Sequence, residues 1–366
     1  MPIEVESPEQ LGYSTIRNNL SESSVSDRRI SDLGLDIDLD ELLLCYGDHL
    51  GDPSLREAVV AGGDGLSADD VLVTPGAAAA LFGISTALLS SGDHVVVVRT
   101  NYATNLETPR AIGAEVDFLD LRYSGGWALD LDELAARVRP GRTKLISVTC
   151  PHNPTGTVLA AADLRRLVSI AESSGAVLLV DETYRDLTHG ERLPMAASLS
   201  ARAISVASMS KAYGVPGLRI GWAVTTDPQL RELLLAAKEQ MVICGATIDE
   251  HIAGRVLAER DRLLPPILAD AGERLGVVRR WLDDQDVFEW VPPRGGVVGL
   301  VRFRREVAVD TDAFYERLLA DHGTYVGPGH WFEVSDRYFR LGYGWPTQAE
   351  LAAGLAGLGA AAESLR

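Results

Sequence analysis

The sequence predicts an α/β protein with a large, doubly wound, mainly parallel sheet domain and a smaller α+β domain. Short runs of Val, Ile and Leu alternate with amphipathic helical stretches up to about residue 225, a pattern typical of parallel strands covered by helices on both faces. Beyond about residue 245 long helical patterns are followed by alternating segments, which suit a separate α+β unit. With 366 residues, the chain is long enough for two domains.

The strand candidates are short and almost wholly apolar. They are the segments at 71–74, 94–98, 144–149, 176–180 and 203–207, with helices predicted at 79–89 and 164–171. In the last third, helices are predicted at 311–323 and 349–365, beside alternating segments at 289–303 and 337–343. We expect Pro265 and Pro266 to end one long helix and to allow the next to begin, because proline disrupts a helix interior.

We expect three regions along the chain. Residues 1–45 are predicted to form an amino-terminal arm that packs with the small domain, residues 46–265 the large domain, and residues 266–366 the small domain. The arm is Ser-rich at 21–26 and acidic at 36–41, and polar segments of this kind rarely build a core of their own.

Composition argues against several classes of partner. The chain carries 34 Lys and Arg against 52 Asp and Glu, a formal net charge of −18, which disfavours nucleic acid and anionic lipid. No apolar stretch approaches the roughly 18 residues that span a bilayer, and the acidic start does not resemble a signal peptide, so we expect a cytoplasmic protein. Cys45, Cys150 and Cys244 are too few for a disulfide framework or a paired zinc site, and the seven histidines lack metal-ligand spacing. No metal is expected.

Polar motifs follow four of the predicted strands, at the edge where open α/β sheets bind ligands. They are Gly76-Ala77-Ala78 after the first strand, Asn153 after the third, Asp181 and Tyr184 after the fourth, and Ser208 and Lys211 after the fifth. A glycine at a helix amino terminus suits a phosphate, and the other side chains complete a polar pocket. Each motif alone is more often a turn, a cap or a surface charge, but together they predict a site for an aromatic phosphate. A dinucleotide fingerprint is absent after the first strand, which disfavours NAD.

The segment from Ser208 to Gly221, with a lysine and an arginine eight residues apart, resembles the fold-type I enzymes that depend on pyridoxal 5′-phosphate (PLP). The chain is similar to the class I/II aminotransferases from about Tyr46 to its end, which implies the PLP-dependent transferase fold type I, with a mixed sheet, and PLP as cofactor.

The resemblance implies a role for each motif residue. Lys211 would form a Schiff base with PLP and act as the base, and Asp181 would hold a proton on the ring nitrogen. Tyr184 and Asn153 would hydrogen-bond the ring oxygen. The resemblance thus implies a catalytic set of Lys211, Asp181 and Tyr184. The phosphate would bind Ser208, Arg219 and the turn at Gly76, Ala77 and Ala78, where the alanines replace the Ser or Thr of many relatives.

The remaining implied residues face the substrate or a second subunit. Tyr102 would stack on the cofactor ring, although the usual preceding proline is absent. Arg340 would bind the substrate α-carboxylate, with Asn153 and Ser24 also at the substrate. Tyr46 would reach the phosphate of a neighbouring subunit, which implies a homodimer with shared active sites.

Three functions are compatible with these motifs. The leading hypothesis is an aminotransferase that moves an amino group between an L-amino acid and a 2-oxo acid. The segments NLSESSV, PHNPTG and MSKAYGVPGLRIGW also resemble capreomycidine-synthase-like PLP cyclases of arginine derivatives in natural-product biosynthesis and their oxidase relatives, which implies cyclisation, oxidation or replacement on an arginine-type amino acid. In that interpretation Ser23, Ser24 and Val25 line the substrate entrance. A PLP-sensing regulator is disfavoured, because the acidic arm offers no basic face for DNA.

Overall fold

The structure, a computed structural model, describes residues 6–62 and 65–364. The helices are α1 (Pro8–Leu11), α2 (Pro53–Val60), α3 (Gly76–Leu88), α4 (Ala103–Ile112), α5 (Leu131–Arg137), α6 (Ala161–Ser174), α7 (Met209–Ala212), α8 (Pro228–Val242), α9 (Thr247–Ala258), α10 (Arg260–Asp283), α11 (Thr311–Ala320) and α12 (Gln348–Glu363). The strands are β1 (Asn18–Leu20), β2 (Val71–Thr74), β3 (His94–Arg99), β4 (Glu115–Asp120), β5 (Thr143–Thr149), β6 (Val177–Asp181), β7 (Ala203–Ser208), β8 (Gly221–Val224), β9 (Phe288–Trp290), β10 (Val298–Phe303), β11 (Thr324–Pro328) and β12 (Tyr338–Gly342). Residues 1–5 of the predicted arm and residues 365–366 of the predicted small domain lie outside the described residues.

The larger sheet has seven strands in the order β2-β8-β7-β6-β5-β3-β4. The pairs from β7 to β4 are parallel, whereas β8 runs antiparallel to both β2 and β7. Along β3, Val95 and Val97 pack into one apolar core while Val96 and Val98 pack into another. A continuous valine run therefore reports a strand covered on both faces, and the predicted doubly wound, mainly parallel α/β fold is confirmed.

Two strands of this sheet lie where no strand was predicted. β4 carries the sequence EVDFLD at the sheet edge and pairs only with β3. An edge strand is partly exposed and therefore tolerates charged residues. β8 begins at Gly221, inside the motif that follows Lys211. A Cβ atom at position 221 would lie 2.5 Å from the backbone nitrogen of Ala77, so glycine here lets β8 approach the start of α3.

The smaller sheet has the order β1-β11-β12-β10-β9. β1, from the predicted arm, pairs parallel to β11, and the other neighbours are antiparallel. One face packs on an aromatic cluster of Phe288, Phe303, Phe314 and Phe339, each at most 1% exposed. The division of the chain at residues 45 and 265 stays a prediction.

The prediction that Pro265 and Pro266 separate two helices is wrong. The break falls six residues earlier, at Glu259, and α10 runs through both prolines. Both prolines lie on the exposed side of α10, where water can satisfy the carbonyls that lose their N–H partners. Leu263 and Ile267 are buried and hold the same turns against the core.

None of the helices within residues 6–62 and 65–364 combines the length and apolar composition needed to cross a membrane. In those same residues, no group of three or more His, Cys, Asp or Glu side chains is arranged to hold a metal ion.

The start of the described chain is fastened to the small sheet through Glu6. Its Oε2 lies 2.6 Å from His330 Nε2 and accepts from Trp331 Nε1 at 3.1 Å. His330 Nδ1 lies 2.8 Å from Asp336 Oδ1. Burial opposes the charged imidazolium, but the hydrogen bonds to Glu6 and Asp336 outweigh burial and raise the pKa of His330.

Replacing His330 with Gln should therefore destabilise the protein in a pH-dependent way. A pKa raised on folding stabilises the folded state below the unfolded pKa, and this contribution disappears as pH rises through the folded pKa. Because the pair is half exposed, we expect His330→Gln to lower the free energy of unfolding by about 0.5 kcal/mol near pH 6 and by less near pH 9. Urea unfolding of both proteins at the two pH values measures this, and equal losses at both would contradict it.

Candidate active site

Lys211 lies in the short helix α7, which directly follows strand β7. Its Nζ donates a hydrogen bond to Ser23 Oγ at 2.9 Å, and its carbonyl accepts from the backbone N–H of Val25 at 3.1 Å. Burial lowers the pKa of Lys211, and the charge of Arg340 lowers it further against the opposing effect of Glu22. The amine therefore loses its proton more readily than that of a free lysine.

Asp181 is the last residue of β6, adjacent to β7 in the sheet, and is 5% exposed. Its Oδ1 accepts hydrogen bonds from Thr183 N at 3.1 Å and Thr183 Oγ1 at 2.6 Å. Burial raises the pKa of Asp181, while Thr183 and the amide of Asn105 partly oppose this. A buried carboxylate of this kind is completed by a cationic partner.

The turn between β2 and α3 forms a cradle with Arg219. Gly76 has a φ of +78°, and a Cβ atom there would lie 2.6 Å from Arg219 Nη2. Thr74 Oγ1 donates to the Gly76 carbonyl at 2.9 Å and fixes the turn. The first N–H groups of α3, from Gly76 through Ala78, have no acceptor within the helix, so they can bind an anion.

The guanidinium of Arg219 is placed by the segment between β7 and β8. Its Nη1 donates to Pro216 O at 2.8 Å and to Ser210 Oγ at 3.3 Å. Sequence reasoning named Ser208 and missed Ser210, although both flank the same motif. Ser208 is buried at the start of α7, where its side chain makes no capping hydrogen bond.

Arg340 lies on β12 of the small sheet and reaches towards the large one. Its Nη1 donates to Asn153 Oδ1 at 3.2 Å, and its Nη2 donates to Ser21 O at 2.6 Å. The guanidinium lies 5.1 Å from the Phe332 ring and 5.8 Å from the Trp331 ring. These contacts hold the guanidinium in one orientation.

The Tyr184 hydroxyl is a buried polar atom that makes no hydrogen bond among the described residues. The residue is 3% exposed, and burial raises its pKa to about 12. Gly296 packs against the ring, since a Cβ atom there would lie 3.3 Å from a ring carbon. Arg340 and the Ser23 side chain oppose that rise in pKa, and the hydroxyl remains available to donate to a ligand atom.

The other predicted site residues lie at the margins of this arrangement. Tyr102 directly precedes α4 and is 43% exposed, and Tyr46 is 83% exposed. Ser24 is buried, but the hydroxyl that contacts Lys211 belongs to Ser23. The roles of Tyr102, Tyr46 and Ser24 stay predictions.

The backbone at Tyr102 is held by a buried amide side chain that the sequence did not predict as part of the site. Asn101 is fully buried, and its Oδ1 accepts hydrogen bonds from Tyr102 N at 2.7 Å and Thr149 Oγ1 at 2.9 Å. Its Nδ2 donates to Val98 O at 3.0 Å. The only signal in the sequence was a polar residue shortly after a buried strand.

Residues 28–358 match the family model described as aminotransferase class I and II. The chain belongs to this family. It is similar to capreomycidine synthase of Streptomyces vinaceus, with 34% identity over 88% of this chain and 82% of that protein. It is also similar to the arginine–pyruvate transaminase AruH of Pseudomonas aeruginosa, with 29% identity over 81% of this chain and 77% of that protein. A solved PLP-dependent aminotransferase from Streptococcus suis matches with a TM-score of 0.92 and 28% identity over 99% of this chain and 97% of its own.

The chain is thus a PLP-dependent enzyme of the aminotransferase family, and its residues fit the cofactor. The glycine cradle beside Arg219 suits the phosphate. The unpartnered Tyr184 hydroxyl suits the ring oxygen, and the buried Asp181 suits a protonated ring nitrogen.

Replacing Gly76 with Ala tests the cradle. The added methyl group would force Arg219 away from the start of α3, so we expect PLP affinity to fall at least about tenfold through loss of a charged hydrogen bond. The dissociation constant of PLP, measured by titration of the apoenzyme, reports the change. Gly175→Ala, after α6, is the matched control, because Gly175 also has a positive φ, of +77°, and a Cβ atom there meets nothing within 4 Å. Unchanged affinity in the Gly76→Ala protein would reject the cradle as the phosphate site.

Proposed function

We propose that the chain is an aminotransferase that moves an amino group between an L-amino acid and a 2-oxo acid. One observation carries the proposal. Ser21 accepts a hydrogen bond from Arg340, and Ser23, two residues on, accepts one from Lys211. Arg340 and Lys211 therefore flank a common space, and a substrate whose α-carboxylate binds Arg340 would present its Cα to the Lys211 amine.

The chain's own residues support this chemistry. When bound, PLP supplies an aldehyde for the amino group and a ring that accepts electron density from Cα. Lys211, with its lowered pKa, can take the proton from Cα and return it. Asp181 would hold a proton at the ring nitrogen, because a positive neighbour offsets the cost of burying its carboxylate. Tyr184 would donate its hydroxyl to the ring oxygen.

A half-reaction tests the proposal directly. Purified holoenzyme is mixed with single L-amino acids and no 2-oxo acid, and the products are analysed by mass spectrometry. We expect the 2-oxo acid of a reactive donor in an amount equal to the enzyme, because each cofactor accepts one amino group. The Lys211→Ala protein should form none at a measurable rate. Absence of any 2-oxo acid across a broad panel of donors would reject the proposal.

A second function is favoured by the arm. The segment NLSESSV resembles cyclases of the capreomycidine synthase type, the chain is 34% identical to capreomycidine synthase, and Ser23 of this segment contacts Lys211. Under this alternative the enzyme catalyses cyclisation, oxidation or a replacement reaction on an arginine-type amino acid. Products formed from arginine and hydroxylated arginines, with and without oxygen, separate the two: cyclic or oxygen-dependent products favour the alternative, and a plain 2-oxo acid favours transamination.

We also propose that two copies form a dimer with shared active sites. Leu43, Leu44 and Tyr46 are 74%, 70% and 83% exposed. Thr247 Oγ1 donates to Cys45 O at 2.9 Å, which joins this segment to exposed apolar residues at 241–243 and 248. An exposed apolar surface of this kind suits burial by a second copy.

Mixing two inactive variants tests whether sites are shared. If Tyr46 serves the partner's site, a Tyr46→Ala and Lys211→Ala heterodimer carries both lesions in one site and neither in the other. An equal mixture that exchanges subunits should recover about a quarter of the wild-type activity by random pairing. Sedimentation of each variant checks that the dimer persists. A mixture as inactive as its components would reject shared sites.

A further inference from the structure

The entrance to the active site carries negative charge on the side formed by the arm. Glu22 lies between the two arm residues that contact Arg340 and Lys211, and is partly buried. Tyr13, on the turn after α1, donates its hydroxyl towards Glu22 Oε1 at 3.4 Å and Glu9 Oε1 at 3.3 Å. Two carboxylates therefore converge on one phenol.

Electrostatic effects place these carboxylates at the site rather than on a remote surface. Both Glu22 and Glu9 raise the pKa of Lys211 against the effect of burial. Glu22 also raises the pKa of Tyr184, whose buried hydroxyl has no hydrogen-bond partner among the described residues. Glu22 therefore lies near Lys211, between the two arm residues that contact Arg340 and Lys211.

The charges around Glu22 do not balance once a substrate binds. Burial, with Glu9 and Asp27, raises the pKa of Glu22, whereas the charges of Lys211 and Arg340 oppose this and favour the carboxylate. A substrate α-carboxylate would neutralise Arg340, and Lys211 would be neutral when it acts as a base. Glu22, Glu9 and Asp27 would then lose the two cations that favour the charged form of Glu22, and a cationic ligand group would replace them.

Aromatic rings stand beside the carboxylates. The Tyr13 and Trp345 rings are stacked, with centroids 6.1 Å apart and planes inclined by 15°. Trp345 Nε1 donates to Asp27 Oδ2 at 3.1 Å. Carboxylates beside flat aromatic faces suit a guanidinium group, which both stacks and donates in its plane.

We propose that Glu22, with Glu9 and the Tyr13–Trp345 pair, selects substrates whose side chain ends in a cation of the guanidinium type. The inference rests on the proposed function, in that it assigns the α-carboxylate to Arg340. The same carboxylates repel a second substrate carboxylate, so amino acids and 2-oxo acids that carry two carboxylates bind poorly. Glu22 acts here as a specificity residue.

Binding of two unreactive ligands tests the inference without any turnover. δ-Guanidinovalerate has arginine's carboxylate and guanidinium but no α-amine, and δ-ureidovalerate replaces the guanidinium with a neutral group of the same shape. Calorimetric titration of the holoenzyme should show the guanidino ligand binding at least about tenfold more tightly, as expected for charged hydrogen bonds. In the Glu22→Gln protein that preference should fall to about threefold or less, with ureido binding unchanged. The control Glu273→Gln removes one exposed charge from α10 and should keep the full preference.

The outcomes separate this inference from the proposed function. Equal affinities for the two ligands in the wild-type protein, or a preference unaltered by Glu22→Gln, would overturn the inference even if transamination occurs. A charge-dependent preference without 2-oxo acid formation would support the inference and reject transamination. If Glu22→Gln disturbs the arm, binding of the ureido ligand falls as well. Glu9→Gln, which changes an exposed carboxylate, is then the deciding variant. The inference requires that this variant prefer the guanidino ligand over the ureido ligand less strongly than the wild-type protein does.

Discussion

The passage of the arm between the two sheets is the constraint on which the active site depends. The sheets share no strand, yet Arg340 from one and Lys211 from the other are held by arm residues two positions apart. Two glycines permit this passage. A Cβ atom at Gly342 would collide with the carbonyl of Glu22, and one at Gly214 with the carbonyl of Ser26. Backbone approaches this close leave no room for any other residue.

Holding Lys211, Asp181 and Arg340 in a buried site is energetically costly. Each charge loses hydration, and the cost is several kcal/mol per ion unless partners compensate. Arg340 has the Ser21 carbonyl and the Asn153 amide, and Asp181 has two hydrogen bonds from Thr183. Their compensation is incomplete, as the raised pKa of Asp181 and the lowered pKa of Lys211 show. The groups whose charges are least compensated are those that PLP and substrate would complete.

The sequence predicted the strands that are buried on both faces and the polar residues that follow them, because both features are written in consecutive residues. It did not predict β4, because this edge strand carries charged residues. It also did not predict the helix through Pro265, where water on the exposed face can satisfy the carbonyls that lose an N–H partner. Ser23 and Asn101 were missed as contacts for another reason. Each has a partner that lies far away in sequence, Lys211 for Ser23 and Thr149 for Asn101, and no local pattern encodes such a pairing.

Groups of opposite charge lie at the two ends of the candidate site, with Arg219 at the cradle and Glu22 and Glu9 on the arm. Although the chain is strongly acidic, with a net charge of −18, the cradle at Gly76 would combine Arg219 with backbone N–H groups, which can bind an anion locally despite the overall charge. At the arm the sign reverses at Glu22 and Glu9. The cradle and Lys211 lie within the family match at residues 28–358, whereas Glu9 and Glu22 of the arm lie before it. On these proposals the sheets carry the residues that hold the cofactor, and the arm carries those that select the substrate side chain. Leu20 and Leu33 of the arm lie in the main apolar core, so only its exposed and half-buried positions can vary without disturbing that core.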